Sequence, residues 1–308
     1  MSSVWLAGGI FLITYALIVT ERVDRTVTAL LGGVAMILTG LLSQEQAFHA
    51  VDWNVIFLLA GMMILANILR ETGLFQWIAV QAVRLGKGNP FRILVILSLV
   101  TAVASALLDN VTIVVLVAPV MLLVAASLRV SPVPFLIAGI LASNIGGTAT
   151  LIGDPPNILI GSAAGIDFLT FAANLAPISL VILAAFVGLS WFLFRHDLQI
   201  EHGRSLDVDA LETDALITDR PMLAKALIVM GGVMVGFMLH GALHLEPATI
   251  ALAGATLLLL WTRSDPHHVL RDVEWTTLFF FLGLFITVEA VVPVSYTHLS
   301  LPTINGVW

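Results

Sequence analysis

The sequence predicts an all-α polytopic membrane protein built from two inverted repeats, of which the second is incomplete. Three observations lead to this prediction: a composition that is poor in charge, two apolar segments that are broken by polar residues, and an internal similarity at a fixed offset.

The composition places the chain in a lipid bilayer. Of 308 residues, 59% are hydrophobic, and only 13 are basic and 20 acidic. The mean hydropathy is +1.04. Soluble domains carry about 25% charged residues, so this chain lacks the charge for a soluble enzyme, a nucleic-acid-binding protein or a disordered chain. It contains no cysteine, which excludes disulfides and thiolate chemistry.

Seven apolar runs have about the length needed to cross the hydrocarbon core of a membrane. They are predicted at Val4–Thr20, Val27–Leu42, Asn54–Leu69, Phe168–Phe194, Met222–His240, Ala248–Trp261 and Trp275–Val292. Two further apolar stretches, Ile93–Leu128 and Val133–Ile160, are interrupted by polar residues, Gly and Pro. These interruptions need a separate explanation.

The basic residues predict the orientation, because cytoplasmic loops concentrate Lys and Arg. All thirteen fall on the cytoplasmic side if the N-terminus is outside, Ile93–Leu128 leaves on the side it entered, and Val133–Ile160 crosses once. Two full crossings at Ile93–Leu128 give the same parity, so a re-entrant hairpin and a pair of crossings both remain open. We predict a multi-pass protein of the cell (inner) membrane.

An internal repeat appears when the chain is shifted by 222 residues. Val51-Asp-Trp53 then aligns with Val273-Glu-Trp275, Gly32 with Gly254, and Gly61 with Gly283. In the predicted topology the first span of each copy runs in the opposite direction, so the copies are inverted. Inverted repeats are typical of secondary transporters, which bind substrate where helices are broken near the bilayer midplane.

The repeat also predicts the domain organisation. We expect residues 1–195 to form the first repeat, 196–221 an acidic cytoplasmic linker, 222–292 an incomplete second repeat, and 293–308 a non-native tail. A complete second copy would run to about residue 416, which is 222 past Phe194. The alternative is a natural short C-terminus.

The first break places polar groups in the middle of an apolar stretch. Ser105, Asp109, Asn110 and Thr112 lie within eight residues of one another. A carboxylate at the bilayer centre costs about 2.5 to 3.5 kcal/mol, so a function or a partner is expected. The alternative is a short external loop, in which Asp-Asn is ordinary turn chemistry.

The second break runs from Ser143 to Asn157 and is more specific. Gly and Pro residues favour non-helical backbone, and the Ser, Thr and Asn side chains supply neutral oxygens that suit a hard cation such as Na⁺. The alternative is a packing face followed by a turn. The candidate residues here are Ser143, Asn144, Gly146, Gly147, Thr148, Thr150, Gly153, Asp154, Pro155, Pro156 and Asn157.

Together with Leu108-Asp-Asn-Val-Thr112 and Gly61-Met-Met-Ile-Leu-Ala-Asn-Ile-Leu-Arg-Glu-Thr-Gly73, the second break resembles the ion transporter superfamily. The closest branch is the arsenical pump membrane protein, NhaD-type Na⁺/H⁺ antiporter and melanosomal P-protein group, which is related to citrate-transporter-like permeases. The resemblance covers about residues 4–292. It implies two inverted repeats, each with a re-entrant hairpin and a broken helix, in a homodimer with an elevator motion. It places the hairpin tip at Asp109, Asn110 and Thr112.

The predicted function is secondary active transport of a small ion or oxyacid, coupled to H⁺ or Na⁺, with the bilayer as partner and no cofactor. A Na⁺ site is predicted at Asn110, Asn144 and Thr148. Asp109 and Asp154 repel a multiply charged anion, so Na⁺/H⁺ exchange or arsenite efflux is favoured over a citrate or dicarboxylate permease. Remote alternatives are a passive channel and an intramembrane aspartyl protease, whose Gly-x-Gly-Asp pattern fails at Leu151.

A weaker signal is the pair His240 and His244, which has the i, i+4 spacing of metal ligands. No acidic third ligand accompanies it within the helix. We therefore interpret these residues as interfacial histidines near a helix end.

Overall fold

The described structure is all-helical, as the sequence predicted. The computed structural model describes residues 2–198 and 217–292, so the predicted tail and most of the acidic linker lie outside the described residues. The helices are α1 Ser2–Thr20, α2 Arg25–Leu38, α3 Gln44–His49, α4 Trp53–Glu71, α5 Leu74–Leu85, α6 Pro90–Leu107, α7 Asn110–Leu128, α8 Val133–Gly147, α9 Pro155–Ala164, α10 Phe168–Phe194, α11 Arg220–Leu243, α12 Pro247–Thr262, α13 Pro266–Arg271 and α14 Trp275–Glu289.

Five of these helices, α4, α6, α7, α10 and α11, have the length and apolar composition needed to cross a membrane. This confirms a polytopic membrane protein. The crossings predicted in α2, α12 and α14 fall on shorter apolar helices, and the one predicted in α1 falls on the shorter apolar segment Val4–Thr20. Because α6 and α7 are both long enough to cross, the re-entrant course of this hairpin stays a prediction.

Two predicted spans are longer than the helices that form. The span predicted to end at Leu42 is helical only to Leu38, because Thr39 caps the helix through a bond from its Oγ1 to the carbonyl oxygen of Ala35 (2.7 Å) and Gly40 takes a left-handed conformation with φ 73°. The span predicted to end at Val292 is helical to Glu289. The prediction missed three short helices, α3, α5 and α13, because they are below membrane-spanning length.

Acidic side chains begin several helices. Asp24, Asp109, Asp167 and Asp219 each occupy the N-cap position and accept a bond from a backbone N–H of the first turn of the helix that follows. These bonds satisfy amides that have no partner within the helix. A chain with few charges therefore uses several of its carboxylates to fix helix starts.

The helix starts repeat at the offset found in the sequence. Arg25, Gln44 and Trp53 begin α2, α3 and α4, and the residues 222 positions later begin α12, α13 and α14. Helix α3 also ends 222 positions before α13. The sequence similarity therefore corresponds to the same succession of helices in both copies. The boundaries of the predicted repeats stay a prediction.

The chain forms two compact units, Met1–Ile56 with Glu274–Trp308, and Phe57–Val273. Each contains helices from both predicted copies. In the first unit α2 packs against α14, and a Cβ on Gly283 would overlap the backbone at Ala29. In the second, a Cβ on Gly61 would lie 2.9 Å from the carbonyl carbon of Ala251. The two contacts are equivalent, because Gly283 lies 222 positions after Gly61 and Ala251 lies 222 positions after Ala29. Each copy supplies the glycine of one contact and the alanine of the other.

In the second unit, the helices that carry both breaks pack together. Helices α6 and α7 contact each other, and α5 packs against both of them. Helix α8 packs on both hairpin helices, and α10 packs on α8. The two broken segments are therefore neighbours within one compact unit.

We predict that Gly61→Ala destabilises the protein by about 1 to 3 kcal/mol, because the added Cβ has no room against the backbone of α12. The matched control is Gly231→Ala in α11, where a Cβ would meet nothing within 4 Å. That substitution is expected to be neutral or slightly stabilising. The check is the apparent melting temperature of each purified variant in one detergent. Equal melting temperatures for the two variants would contradict the close approach of α4 and α12.

Candidate ion site at the hairpin tip and the helix break

The hairpin tip is built by a helix cap. Helix α6 ends at Leu107, and Asp109 is the N-cap of α7. One oxygen of Asp109 accepts a hydrogen bond from the Thr112 backbone N–H at 2.9 Å, and the other accepts from the Thr112 hydroxyl. Both carboxylate oxygens therefore fix the start of α7. The sequence predicted an ion-binding role for Asp109, and the structure adds this capping role.

Residues within the helix break stabilise its non-helical backbone. Helix α8 ends at Gly147, and α9 begins at Pro155. Pro155 and Pro156 suit the first turn of α9, where an amide N–H has no helical partner. The Asn157 amide nitrogen donates to the carbonyl oxygens of Gly147 at 3.0 Å and Thr150 at 2.9 Å. Asn157 thus supplies donors for two carbonyls that the break leaves outside the helix.

Hairpin and break meet backbone to backbone. A Cβ on Gly153 would lie 2.6 Å from the Ser105 carbonyl oxygen, and one on Gly146 would overlap the Ala102 backbone. A Cβ on Gly147 would lie 2.6 Å from the Gly153 carbonyl oxygen. No side chain fits at these positions, which explains why glycine occupies all three.

Hydrogen bonds close the same contact. The Asn110 backbone N–H donates to the Gly153 carbonyl at 3.1 Å, and the Thr150 hydroxyl donates to the Ala106 carbonyl at 2.6 Å. The Ser105 hydroxyl donates to the Ser143 carbonyl at 2.8 Å. Each broken segment thereby supplies hydrogen-bond partners for backbone groups of the other. Non-helical backbone at membrane depth needs such partners, because the hydrocarbon offers none.

Ser143 connects the hairpin to α8 from a fully buried position. Its hydroxyl oxygen lies 2.9 Å from the Asn110 carbonyl oxygen and 3.1 Å from the Ser105 hydroxyl oxygen. The two serines and Asn110 were predicted as site residues from separate parts of the sequence. The structure brings all three into contact.

The Asn110 side chain is only partly satisfied. Its amide nitrogen donates to the Asn144 side-chain oxygen at 3.2 Å, whereas its own side-chain oxygen is buried and has no hydrogen-bond partner in the described structure. A buried polar group without a partner costs about 1 to 3 kcal/mol. An oxygen in this position can be satisfied by a cation.

Asp154 is the carboxylate that does not cap the helix it precedes. It occupies the N-cap position of α9 with an extended backbone, but its side chain makes no capping hydrogen bond. It is half-buried and lies within electrostatic reach of Asp109 and of the Asn110 side chain. Unlike Asp109, it makes no side-chain bond that fixes the start of its helix.

Thr148 is exposed, and its backbone N–H donates to the Asn144 carbonyl at 3.1 Å. Its hydroxyl bonds to neither the Asn110 nor the Asn144 side chain in the described structure. Its hydroxyl donates to the Ile145 carbonyl at 2.8 Å and lies 3.1 Å from the hydroxyl of Ser179 on α10. The sequence analysis missed Ser179, which is buried. The available signal was the position of this serine two residues after Pro177, inside an otherwise apolar span.

The histidine pair does not form a metal site. His240 accepts a hydrogen bond at Nε2 from the backbone N–H of Phe168, 3.2 Å away, and so caps the start of α10. His244 ends α11 in a left-handed conformation with φ 52°. Among the described residues, no group of three or more His, Cys, Asp or Glu side chains is placed to hold a metal ion.

Comparison with known proteins finds transporters. Residues 15–296 match the family described as CitMHS, Citrate transporter. The chain is 43% identical over 291 residues to Uncharacterized transporter Rv2684 and 44% identical over 292 residues to Uncharacterized transporter Rv2685, both of Mycobacterium tuberculosis. Each alignment covers 93% of this chain and 68% of the relative. The human P protein is 33% identical over 375 residues, covering 97% of this chain and 44% of that protein.

We predict that Asp109→Ala lowers the free energy of unfolding by about 0.5 to 2 kcal/mol, because it removes the N-cap of α7. The matched change Asp154→Ala is expected to cost less than about 0.5 kcal/mol, since Asp154 makes no capping bond. Thermal unfolding of both variants in the same detergent checks the pair. A larger loss for Asp154→Ala than for Asp109→Ala would contradict the two assigned roles.

Proposed function

Because the chain belongs to the CitMHS citrate transporter family, we propose that it is a secondary active transporter in which a cation and a proton compete at the contact between the hairpin tip and the helix break. The proposed cargo is a small cation or a neutral oxyacid, as in Na⁺/H⁺ exchange or arsenite efflux. The coupling ion is Na⁺ or H⁺. The polypeptide catalyses no chemical reaction in this proposal.

The observation that carries the proposal is the contrast between the two carboxylates. Asp109 uses both oxygens to cap α7, whereas Asp154 occupies the matching position of α9 without a capping bond. An ionised carboxylate at membrane depth is costly unless it has a function or a partner. Proton or cation exchange at Asp154 provides that function.

The proposed cation ligands are neutral oxygens around Asp154. Asn110 offers a buried side-chain oxygen that has no partner in the described structure, and its amide nitrogen already positions Asn144. Thr148 is the C-cap residue of α8 and lies one helical turn beyond Asn144. Hydroxyl and amide oxygens suit Na⁺, and a bound cation would remove the cost of the unsatisfied oxygen at Asn110.

Transport requires that the site open alternately to each side of the membrane. In inverted-repeat transporters, one repeat or bundle moves against the other around the site. The common helix starts in the two copies, together with the paired glycine contacts, support this architecture here. We further propose an inner-membrane protein with its N-terminus outside, acting as a homodimer.

A second candidate, a citrate or dicarboxylate permease, is favoured by the description of the matched family. Its difficulty is electrostatic. A multiply charged anion beside Asp154 would be repelled, and the repulsion is stronger in a low-dielectric site than in water. Of the two candidates, the Asp154 carboxylate supports the cation or neutral oxyacid better.

We predict that Asp154→Asn abolishes coupled transport and that Asp154→Glu retains part of it, because only a titratable group can exchange a proton for the cargo. The measurement is flux in proteoliposomes that contain the protein, driven by imposed H⁺ or Na⁺ gradients. The amount of inserted, monodisperse protein must match the wild type. Wild-type coupled flux in Asp154→Asn would overturn the proposed role of this residue.

We also predict the charge of the cargo. The wild-type protein in proteoliposomes should exchange Na⁺ for H⁺ or move arsenite, and it should take up citrate poorly, because two carboxylates lie within electrostatic reach of each other at the site. Protein-free liposomes and Asp154→Asn proteoliposomes serve as controls. Robust citrate uptake, with Na⁺ and arsenite inert, would favour the permease instead.

A further inference from the structure

A second candidate site lies away from the breaks, where α11 begins and α12 ends. These neighbouring helices enclose an open groove of about 820 Å³, which is lined by Lys225, Leu257, Leu260, Trp261, Thr262 and Arg263. The proposed transport site does not involve these residues. The lining combines two cationic side chains with an aromatic and two aliphatic ones.

Two cations stand at the rim of the groove. Lys225 lies in the second turn of α11, and its ammonium group donates to the Trp261 carbonyl at 2.9 Å. That bond uses one of three ammonium protons and leaves two for a ligand. Arg263 ends α12 in a left-handed conformation with φ 56°, and it is exposed.

The nearest carboxylates along the chain are engaged in helix caps. Asp265 accepts from the His267 backbone N–H at 3.0 Å, and Asp219 accepts from the Met222 backbone N–H at 2.8 Å. Among the described residues, neither Lys225 nor Arg263 forms an ion pair with a carboxylate. A ligand with negative charge fits this rim.

The wall below the rim is apolar and exposed. Leu257 is 53% exposed, Leu260 76% and Trp261 44%. Tryptophan favours the level of the lipid headgroups, and leucine favours the hydrocarbon below it. A free phosphate ion would use the cations and leave this wall uncovered, whereas a phospholipid would cover both.

The groove is not a by-product of the internal repeat. The positions 222 residues before Lys225, Trp261 and Arg263 are Ser3, Thr39 and Leu41, which carry no charge. The cations therefore occur only in the second copy. By the distribution of Lys and Arg, this end of α11 and α12 faces the cytoplasm, where anionic lipid headgroups attract basic pockets between membrane helices.

We propose that this groove binds one anionic phospholipid, with its phosphate between Lys225 and Arg263, its glycerol region beside Trp261 and an acyl chain along Leu257 and Leu260. The site is independent of the cargo that the protein transports. It would anchor the junction of α11 and α12 to the cytoplasmic leaflet.

The test is retention of lipid by the purified protein in native mass spectrometry, using phosphatidylglycerol and phosphatidylcholine with identical acyl chains. We expect one phosphatidylglycerol to be retained in preference to phosphatidylcholine. The double change Lys225→Gln with Arg263→Gln should weaken that retention roughly 30-fold, or about fivefold for each cation. Inorganic phosphate at millimolar concentration should not displace the lipid.

Two further variants separate charge from folding. Lys225→Arg with Arg263→Lys keeps both charges and should retain phosphatidylglycerol. Arg92→Gln with Arg129→Gln removes two exposed basic residues elsewhere, which are also predicted to be cytoplasmic, and should leave retention unchanged. Equal retention of both lipids, equal loss in the Arg92 and Arg129 control, or displacement by inorganic phosphate would each overturn the proposal.

Discussion

The candidate ion site depends on a contact between two interruptions in helical backbone. Inside a bilayer, a peptide group that leaves a helix finds no water, and a segment with unsatisfied amides and carbonyls is too costly to persist. Here the hairpin tip and the break between α8 and α9 supply each other's partners. The bond from Asn110 to the Gly153 carbonyl and the bond from Thr150 to the Ala106 carbonyl both cross this contact. The site exists because the two breaks stabilise one another.

The close approach also explains which atoms remain for a ligand. Glycine at 146, 147 and 153 lets the backbones meet, and the serine hydroxyls are used within the contact. The groups left over are the side-chain oxygen of Asn110 and the carboxylate of Asp154. In the proposed site, the neutral Asn110 oxygen and the Asp154 carboxylate bind the cation. The carboxylate also binds the proton that competes with it.

Sequence reasoning located both breaks because the residues that cause them carry a strong local signal. Gly and Pro define the break before α9, and Asp109 with Asn110 defines the hairpin tip. The same reasoning did not separate the roles of the two carboxylates, because both are aspartates that precede a helix. The spacing Asp109 to Thr112 is an N-cap pattern that could have indicated the difference. Ser179 was missed because its contact with Thr148 joins helices that are distant in sequence.

We propose that Asn110 and Asp154 form a cation site that also binds a proton. Equilibrium binding of Na⁺ is the most direct test of this site. The measurement is the apparent melting temperature of the protein against NaCl concentration, with choline chloride at equal ionic strength as the reference, at several pH values. We predict a saturable stabilisation by Na⁺ that weakens as the pH falls and is lost in Asn110→Ala. Identical curves in the two salts at every pH would contradict it.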